Sequence, residues 1–278
     1  MQKPFFSIIV VSLNPGEGLK KTLDSIVNQT YTDYEVILKD GGSTDGSLTV
    51  LQEQGYFKNK NQIRIQQKKD CSIYDGMNQA VSYVKGRYVQ FLNCGDYFYS
   101  NTVLEEVAIF IEGKRDAFHT PIKIYYGNQY HQIQNTIIYS APQINDFTCY
   151  RNVPCHQVCF YDYRLFQKRA YDLQYKVRAD YEHFLYSIYE EQAEGVSMPI
   201  VVASYEGGGF SETKENRKKS AMEHAEITKK YLGVTKSFQY RVIMWLTLAP
   251  LRTLIAENPA LSGIYNSIKN GIYKLLRR

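Results

Sequence analysis

The sequence predicts an α/β protein with a mostly parallel, Rossmann-like sheet, helices on both faces, antiparallel additions and a C-terminal helical tail. Three features of the 278 residues support this fold. Apolar runs typical of strands alternate with segments whose apolar residues recur at helical spacing. The first strand is apolar almost throughout, as in a sheet covered on both faces. The order strand, helix, strand repeats through the first hundred residues, which favours parallel pairing.

The first half of the chain contains four predicted strands and the helices between them. The strands are Phe6–Ser12, Tyr34–Asp40, a more polar segment around Ile63 and Ile65, and residues 86–92. Apolar residues on one helical face predict helices at 19–27, around 48–51 and at 73–84. Residues 41–46 form a glycine-rich turn, and we expect its Ser, Thr and Asp side chains to cap the second helix.

The second half changes character after a helix predicted at 103–111. Between residues 117 and 161, short alternating segments at 122–126 and 136–139 are separated by Gly, Asn and Pro, which indicates antiparallel hairpins. A helix is expected at 180–189, a strand at 200–203 and a charge-rich, solvated helix at 213–231. We therefore predict one domain over residues 1–235, made of a first half at 1–100 and a second half at 101–235.

Residues 236–278 form a separate basic tail. Residues 242–251 carry no charge but are too short to span a bilayer. Apolar residues then line one helical face between 261 and 276, with lysines and arginines outside it, as in helices that lie in a membrane interface. The alternative is a helix that packs on the domain or on a partner chain.

Charge and cysteine content narrow the class of protein. From Arg241 to Arg278 there are six basic residues and one acidic residue, which accounts for the whole formal charge of +5. Because the excess is confined to an amphipathic tail, an anionic lipid surface is a better partner than nucleic acid. The five cysteines show no disulfide spacing, which favours a reducing cytoplasm, and the chain is expected to lie on the inner face of the cell membrane.

Two carboxylates, Asp40 and Asp96, follow predicted strands. Ligands bind at the carboxyl ends of parallel strands, so Asp96 is a candidate for holding Mg²⁺ or Mn²⁺ beside a substrate phosphate. The alternative is an ordinary turn residue that bonds its own backbone. A dinucleotide fold is the main rival, because Gly16 and Gly18 follow the first strand, but Lys21 stands where the third glycine is needed. A Gly-Lys-Ser/Thr phosphate loop is absent from the sequence.

Several motifs resemble family 2 glycosyltransferases of the GT-A fold, of the type that builds bacterial polysaccharides. The similarity covers about 100 residues in the family's order and includes DGGSTDGS at 40–47, IYDGMNQA at 73–80 and GRYVQFLNCGD at 86–96. It continues more thinly through PCHQ at 154–157, RADYE at 178–182 and GGFS at 208–211. The Gln-x-x-Arg-Trp signature of processive synthases is absent, which favours transfer of a single sugar.

The resemblance implies that residues 1–100 are the nucleotide-sugar-binding half and residues 101–235 the acceptor-side half. It also implies a role for each matching residue. Asp180 is the expected catalytic base, and Asp96 is the expected ligand of a divalent metal, Mn²⁺ or Mg²⁺. The expected nucleotide-sugar contacts are Asn14, Asp40, Asp75, Asn78, Asn93 and His156. Ala179 replaces the acid that commonly precedes the base, and the pair Asn93 and Asp96 is poorer in carboxylates than the usual motif, which implies weak metal affinity.

Some residues also have simpler interpretations. His156 could be a buried, satisfied histidine, and Asp180 could be a first-turn charge on its helix. Cys155, His156 and Cys159 lack the second pair of ligands that a zinc site needs.

The sequence thus predicts an inverting glycosyltransferase. Its donor would be a nucleotide-diphosphate sugar, and its acceptor a lipid-linked or cell-envelope saccharide. The sequence is also compatible with a homo-oligomer. A non-catalytic nucleotide-sugar-binding or scaffold protein of a polysaccharide assembly complex is the alternative function.

Overall fold

The structure is a computed structural model that describes residues 3–58, 60, 62–114, 121–151, 153–207, 213–248, 255 and 268. Within these residues, nine strands form one sheet in the order β3-β2-β1-β4-β8-β6-β9-β5, with β7 paired to β6. The strands are β1 (Phe6–Ser12), β2 (Tyr34–Asp40), β3 (Ile63–Gln67), β4 (Tyr88–Phe91), β5 (Tyr97–Phe98), β6 (Lys123–His131), β7 (Thr136–Ile138), β8 (Cys159–Asp162) and β9 (Glu194–Tyr205).

The sheet has a parallel half and a mixed half. β1 pairs in parallel with β2 on one side and β4 on the other, and β3 extends this half beyond β2. β8 joins β4 in antiparallel orientation, and β6 joins β8 in the same way. β6 then pairs in parallel with β9, while β7 and β5 are antiparallel additions. The predicted combination of a mostly parallel sheet with antiparallel additions is confirmed.

Helices cover both faces of the sheet. They are α1 (Gly18–Val27), α2 (Ser47–Glu53), α3 (Ile73–Val81), α4 (Val103–Gly113), α5 (Asp146–Arg151), α6 (Arg164–Lys168), α7 (Ala179–Tyr189) and α8 (Lys214–Leu246). Successive side chains of a strand point to opposite faces, so β1 serves two cores. Ile8 and Val10 pack in the cluster that contains α1 and α4, whereas Ile9 packs in the cluster that contains α3 and α7.

Three local expectations differ from the structure. Within residues 117–161, where the sequence predicts antiparallel hairpins, His156 instead begins a short 3₁₀ helix, His156–Val158, immediately before β8. The second helix begins after Gly46, which has a positive φ of 78° and makes no side-chain capping hydrogen bond. Asp45 instead accepts hydrogen bonds from the backbone and hydroxyl groups of Ser47. The strand expected at 200–203 is the longer β9, because it pairs with β6 along most of its length.

α8 is longer than the charge-rich helix that the sequence predicted. It is interrupted at Gly233, which has φ 79° and ψ 164°, and it continues to Leu246. The predicted domain boundary between residues 235 and 236 therefore lies inside α8, shortly after this interruption. Most of the basic tail, including the amphipathic segment 261–276, lies outside the described residues. Among the helices that the structure describes, none has both the length and the apolar character needed to cross a membrane.

Candidate active site

A cavity of about 950 Å³ opens at the carboxyl ends of β1 and β4. Four of the residues singled out in the sequence line it, namely Asn93, Asp96, His156 and Asp180. Asp96 and Asp180 are 84 positions apart in the chain, and the fold brings both to one cavity. This edge of a parallel sheet is where α/β proteins bind ligands.

The turn from Asn93 to Asp96 is held from two sides. Gln157 is buried, and its amide accepts a hydrogen bond from Asn93 N at 3.0 Å and donates one to Asp96 Oδ2 at 2.8 Å. On the other side, the Thr22 hydroxyl of α1 donates to the Asp96 carbonyl at 2.7 Å and accepts from Gly95 N at 2.8 Å. Gly95 has a φ of +103°, which favours glycine at this position. The Asp96 carboxylate is thus fixed before any ligand arrives.

Asp96 carries a buried and poorly balanced charge. Its side chain accepts N–H groups from Gln157 and from the backbone of Glu206, and among the described residues it has no salt bridge to Lys, Arg or His. Burial raises the pKa of Asp96 above its ordinary value, hydrogen bonds from Glu206 and Gln157 lower it, and the negative charge of Glu206 raises it further. A carboxylate in this state is suited to a divalent cation.

A cation at this position would need ligands from the substrate. The part of the chain that the structure describes contains no group of three His, Cys, Asp or Glu side chains that could hold a metal ion. Mg²⁺ and related ions are commonly bound by one or two carboxylates plus substrate phosphates and water. The single carboxylate of Asp96 fits that mode of binding.

Asp180 lies in the first turn of α7, and both of its carboxylate oxygens have partners. Tyr74 Oη is 2.8 Å from Oδ1, and His156 Nδ1 is 2.8 Å from Oδ2. Burial alone would raise the pKa of Asp180, but the hydrogen bond and charge of His156 and the hydrogen bond of Tyr74 outweigh it and hold the pKa below its ordinary value. The side chain is 24% exposed, so the ionised oxygen can be reached from the cavity.

α8 fixes the start of α7 from behind. The buried carboxylate of Glu223 accepts backbone N–H groups from Lys176, Val177 and Arg178, at 2.8, 3.0 and 2.9 Å. These are the residues immediately before α7, whose first N–H groups have no partner within the helix. Through this contact, α8 sets the position of Asp180.

The end of the cavity near α3 is built around a buried ion pair. Lys39 is 1% exposed, and its Nζ contacts Asp70 Oδ2 at 2.7 Å and the carbonyls of Asp40 and Lys68. Asp70 lines the cavity. A Cβ atom at Gly41 would lie 2.7 Å from Asp70 Oδ2, so a larger residue there would displace the Asp70 carboxylate from its present position.

The other sequence-predicted residues lie around the cavity but are not among its lining residues. The carboxylate of Asp40 accepts hydrogen bonds from Gly42 N, from Ser43 N and from the Ser43 hydroxyl. The Asn78 amide bonds the backbone N–H and carbonyl of Tyr171. The remaining two residues also bond to neighbouring loops: Asn14 to Ser43 and Thr44, and Asp75 to the Cys71 backbone.

The lining also includes Asp70, Tyr74, Gln157 and Glu206, which the sequence did not single out as site residues. Gln157 was visible as part of the PCHQ motif, and Tyr74 as part of IYDGMNQA. Asp70 and Glu206 had no signal of their own, because each reaches the cavity through a loop whose path depends on tertiary structure.

A mostly parallel sheet with this cavity at its carboxyl edge, lined by Asp96 at a strand end and Asp180 at a helix start, defines a transferase of the GT-A class. Residues 7–173 match the family described as Glycosyl transferase family 2. A PGL/p-HBAD biosynthesis glycosyltransferase of Mycobacterium tuberculosis is 35% identical over 215 residues, covering 77% of this chain and 81% of that protein. The chain belongs to glycosyl transferase family 2 and is a glycosyltransferase.

Other similarities are more limited in extent or in identity. A chondroitin synthase of Pasteurella multocida is 34% identical over 100 residues, which cover 36% of this chain and 10% of that protein. S. aureus TarS 1-349 in complex with UDP-GlcNAc has a TM-score of 0.62 at 17% identity and covers 82% of this chain and 71% of its own. This chain spans 42% of the longer TarS structure.

The mannosyltransferase PcManGT from Pyrobaculum calidifontis, in complex with GDP-Man and Mn²⁺, has a TM-score of 0.63 at 12% identity. It covers 97% of this chain and 88% of its own. Because their identities to this chain are only 17% and 12%, these two structures show its GT-A fold and nothing further.

Proposed function

We propose that the protein is an inverting glycosyltransferase that moves one sugar from a nucleotide-diphosphate sugar to a lipid-linked or cell-envelope saccharide. The observation that carries the proposal is that Asp96 and Asp180 line one cavity. Asp96 supplies a charge at the end where a diphosphate would lie, and Asp180 supplies an ionised carboxylate held by His156 and Tyr74.

The reaction requires one proton transfer and one bond exchange. The acceptor hydroxyl gives its proton to Asp180 while its oxygen bonds to the anomeric carbon, and the bond from that carbon to the diphosphate breaks. A positioned general base contributes about 10²- to 10⁴-fold to the rate. The lowered pKa of Asp180 keeps it ionised at neutral pH, so it can accept that proton.

We assign the cavity ends by their charges. Asn93 and Asp96 would hold the diphosphate with a divalent cation, which when bound supplies positive charge to the leaving group. Asp70, which lines the cavity, would face the nucleobase. Asp40 and Asp75 lie outside the lining and would hold the neighbouring loops through Ser43 and the Cys71 backbone. His156 would position Asp180 and contact the sugar, while Asn14 and Asn78 would hold the surrounding loops in place.

Related proteins support the choice of donor. Of the solved neighbours, TarS 1-349 is in complex with UDP-GlcNAc, and PcManGT is in complex with GDP-Man and Mn²⁺. The mycobacterial relative is named for biosynthesis of PGL and p-HBAD. These names favour a nucleotide-activated donor for this chain.

The experiment that tests the proposed function is the substitution Asp180→Asn. Donor binding should be kept and sugar transfer lost by about 10²-fold or more, because the base is removed while the diphosphate end is untouched. The measurements are isothermal calorimetry with UDP and other nucleoside diphosphates, and turnover of radiolabelled nucleotide sugars on a cell-envelope extract. Asp33→Asn is the matched control, since Asp33 directly precedes β2 at the opposite edge of the sheet.

The non-catalytic alternative predicts no transfer by the wild-type protein and unchanged donor binding in the variant. Transfer at the wild-type rate by Asp180→Asn would contradict the assignment of the base.

Donor identity can be screened through thermal stability. A ligand that binds only the folded protein raises its melting temperature by mass action. We expect UDP, GDP or dTDP to raise the melting temperature more with Mn²⁺ than without it, and this Mn²⁺-dependent increment to disappear in Asp96→Asn. An increment that survives in Asp96→Asn would contradict the proposed metal ligand.

We also propose that the C-terminal region contacts the inner face of the cell membrane. The last turns of α8 expose Phe238, Trp245 and Leu246 at 65%, 71% and 65%, and Leu248 follows at 58%. Tryptophan is favoured at membrane interfaces, and the basic residues from Arg241 onward suit anionic lipid.

Sedimentation with phosphatidylglycerol vesicles tests this contact. Trp245→Asp should reduce the bound fraction several-fold. Ile109→Asp, on the exposed side of α4, is the control and should bind like wild type. Equal binding by the Trp245 variant would contradict the membrane contact, and a concentration-dependent dimer lost on the same substitution would assign the surface to a second copy.

A further inference from the structure

The Tyr74 hydroxyl lies between two acceptors. Its oxygen is 2.8 Å from Asp180 Oδ1 and 2.8 Å from the Val177 carbonyl oxygen. The side chain is 6% exposed, and its ring packs on Tyr171 at a centroid distance of 5.5 Å. Both contacts therefore lie in a buried region beside the cavity.

A tyrosine hydroxyl has one proton, so it can donate to only one of these oxygens at a time. When Asp180 is ionised, the proton is best directed to the carboxylate, because a hydrogen bond to a charged acceptor is the stronger one. The Val177 carbonyl then faces the Tyr74 oxygen with no hydrogen between them. When Asp180 carries a proton, Asp180 can donate to Tyr74 and Tyr74 can donate to Val177. Both short contacts are then hydrogen bonds.

We propose that Tyr74 is a positioning residue whose hydroxyl turns from Asp180 to the Val177 carbonyl as Asp180 takes up the acceptor's proton. The hydroxyl thereby supports the base in both of its protonation states. This inference rests on the proposed function, because it concerns the same base.

The step balances without any additional reactant. The acceptor O–H bond breaks, and its proton ends on Asp180, in the hydrogen bond to the Tyr74 oxygen. Tyr74 keeps its own proton throughout and only changes the acceptor to which it donates. The electron pair of the broken sugar–diphosphate bond leaves with the nucleoside diphosphate.

The surroundings keep Tyr74 neutral and Asp180 ionised before the reaction. Burial and the nearby charge of Asp180 raise the pKa of Tyr74 well above its ordinary value. His156 faces the other oxygen of Asp180, and further titratable groups whose own pKa values respond to Asp180 are Cys155, Cys159, Tyr161 and Tyr171. Burial raises the pKa of each of these four groups, so they are neutral near pH 7.

The test compares Tyr74→Phe with Tyr171→Phe. Both changes remove one buried hydroxyl and keep the ring, but the Tyr171 hydroxyl has no hydrogen-bond partner in the described part of the chain. Tyr74→Phe removes a hydrogen bond to a charged group, so its single-turnover rate should be about 10- to 100-fold below that of wild type. KM for the donor and the affinity for UDP should stay unchanged, and Tyr171→Phe should transfer sugar at the wild-type rate.

A proton inventory distinguishes hydroxyl rotation from a purely structural role. The single-turnover rate is measured in mixtures of H₂O and D₂O and plotted against the deuterium fraction. For wild type the plot should be curved, as expected when two protons move in the transition state. For Tyr74→Phe the plot should be linear, because one proton moves. A linear plot for wild type, or a rate loss in Tyr74→Phe that is matched by a rise in KM and a lower melting temperature, would overturn the inference.

The failure of this inference can be told apart from failure of the proposed function. Loss of transfer in Asp180→Asn with full activity in Tyr74→Phe would contradict only the role of Tyr74. Full activity in both variants would contradict the base assignment itself.

Discussion

Asp180 is ionised at neutral pH because specific partners overcome the cost of its burial. His156 is the largest of these favourable influences, through its hydrogen bond at 2.8 Å and its charge. A phenylalanine at this position would keep a ring but provide no N–H donor. Burial would then dominate, and the pKa of Asp180 would rise.

We therefore predict that His156→Phe shifts the acid limb of kcat/KM to higher pH. A base works only when ionised, so the rate falls as pH drops through its pKa, and a higher pKa moves that fall upward. The measurement is kcat/KM against pH for both proteins, using donor below KM. A reduced rate with the acid limb in its wild-type position would show that His156 acts on the substrate and not on Asp180.

Individual site residues differ in how well the sequence predicts them. Asp96 and Asp180 belong to motifs with a chemical requirement for a carboxylate, and the structure brings both to the cavity. Asn78 lies in an equally recognisable motif, yet its amide bonds the Tyr171 backbone. A sequence pattern marks such positions but does not reveal whether the side chain faces the ligand or holds a loop, because that depends on contacts nearly a hundred residues away.

The contact between α7 and α8 determines where Asp180, the proposed base, lies. Glu223 accepts three backbone N–H groups just before α7, and Arg178 returns a hydrogen bond from its Nε to Ser220 at 2.7 Å. A carboxylate near the start of a helix is favoured both by these N–H groups and by the helix dipole. α8 thus positions Asp180, which is a residue of α7.

We predict that Glu223→Gln lowers kcat about tenfold, while the affinity for UDP changes less than twofold. The glutamine amide has no charge, and its N–H group would face the backbone N–H donors that Glu223 now accepts. The loop before α7 therefore shifts, and the loss of transition-state stabilisation is that of a lost hydrogen bond to a charged group. Steady-state kinetics and calorimetry measure the two quantities. Glu226→Gln, with an exposed side chain that bonds only the Tyr175 hydroxyl at 3.1 Å among the described contacts, is the matched control. Equal effects of the two substitutions would contradict a specific role for Glu223.

A second α7–α8 contact contributes to the stability of the protein. The Glu182 side chain is fully buried and bonds Arg169, Lys230 and Tyr231. Burial would raise the pKa of Glu182, but the hydrogen bonds from these three groups hold it below the ordinary value. A carboxylate with a lowered pKa stabilises the folded state above its unfolded pKa of about 4.3, and this contribution is lost as pH falls through the lower, folded value.

We predict that Glu182→Gln lowers the free energy of unfolding at pH 7 by about 3 kcal/mol, the lower end for a broken buried pair, since Arg169 and Lys230 keep partial contact with solvent. Below pH 4 the difference between variant and wild type should shrink, because wild-type Glu182 becomes protonated. Urea denaturation from pH 3 to pH 7 measures both. A difference that stays constant across this range would contradict the charge of Glu182 as its cause.

Across the whole molecule, local patterns predicted the parallel half of the sheet better than the mixed half. β1 is an almost continuous apolar run and β2 has an apolar centre at residues 36–38, and each was predicted with the bounds that the structure shows. The insertion of β8 between β4 and β6 has no such signal, because the antiparallel pairing of Tyr88 with Asp162 joins residues far apart in sequence. The same reason explains why α8 was predicted as a solvated helix: its buried residues face α7 only in the folded chain.

The ion pair of Lys39 and Asp70 has a consequence for how a ligand must enter. At that end of the cavity the charge of Asp70 is already paired with Lys39, so under the proposed function Asp70 would accept N–H groups of an uncharged nucleobase and Lys39 would offer a phosphate little attraction. At the other end, the Asp96 carboxylate has no salt bridge among the described residues, so under the proposed function a diphosphate would approach it only together with a divalent cation. The proposed donor would therefore bind in one orientation, with its nucleobase near Asp70 and its diphosphate near Asp96. The reverse orientation would be disfavoured at both ends of the cavity.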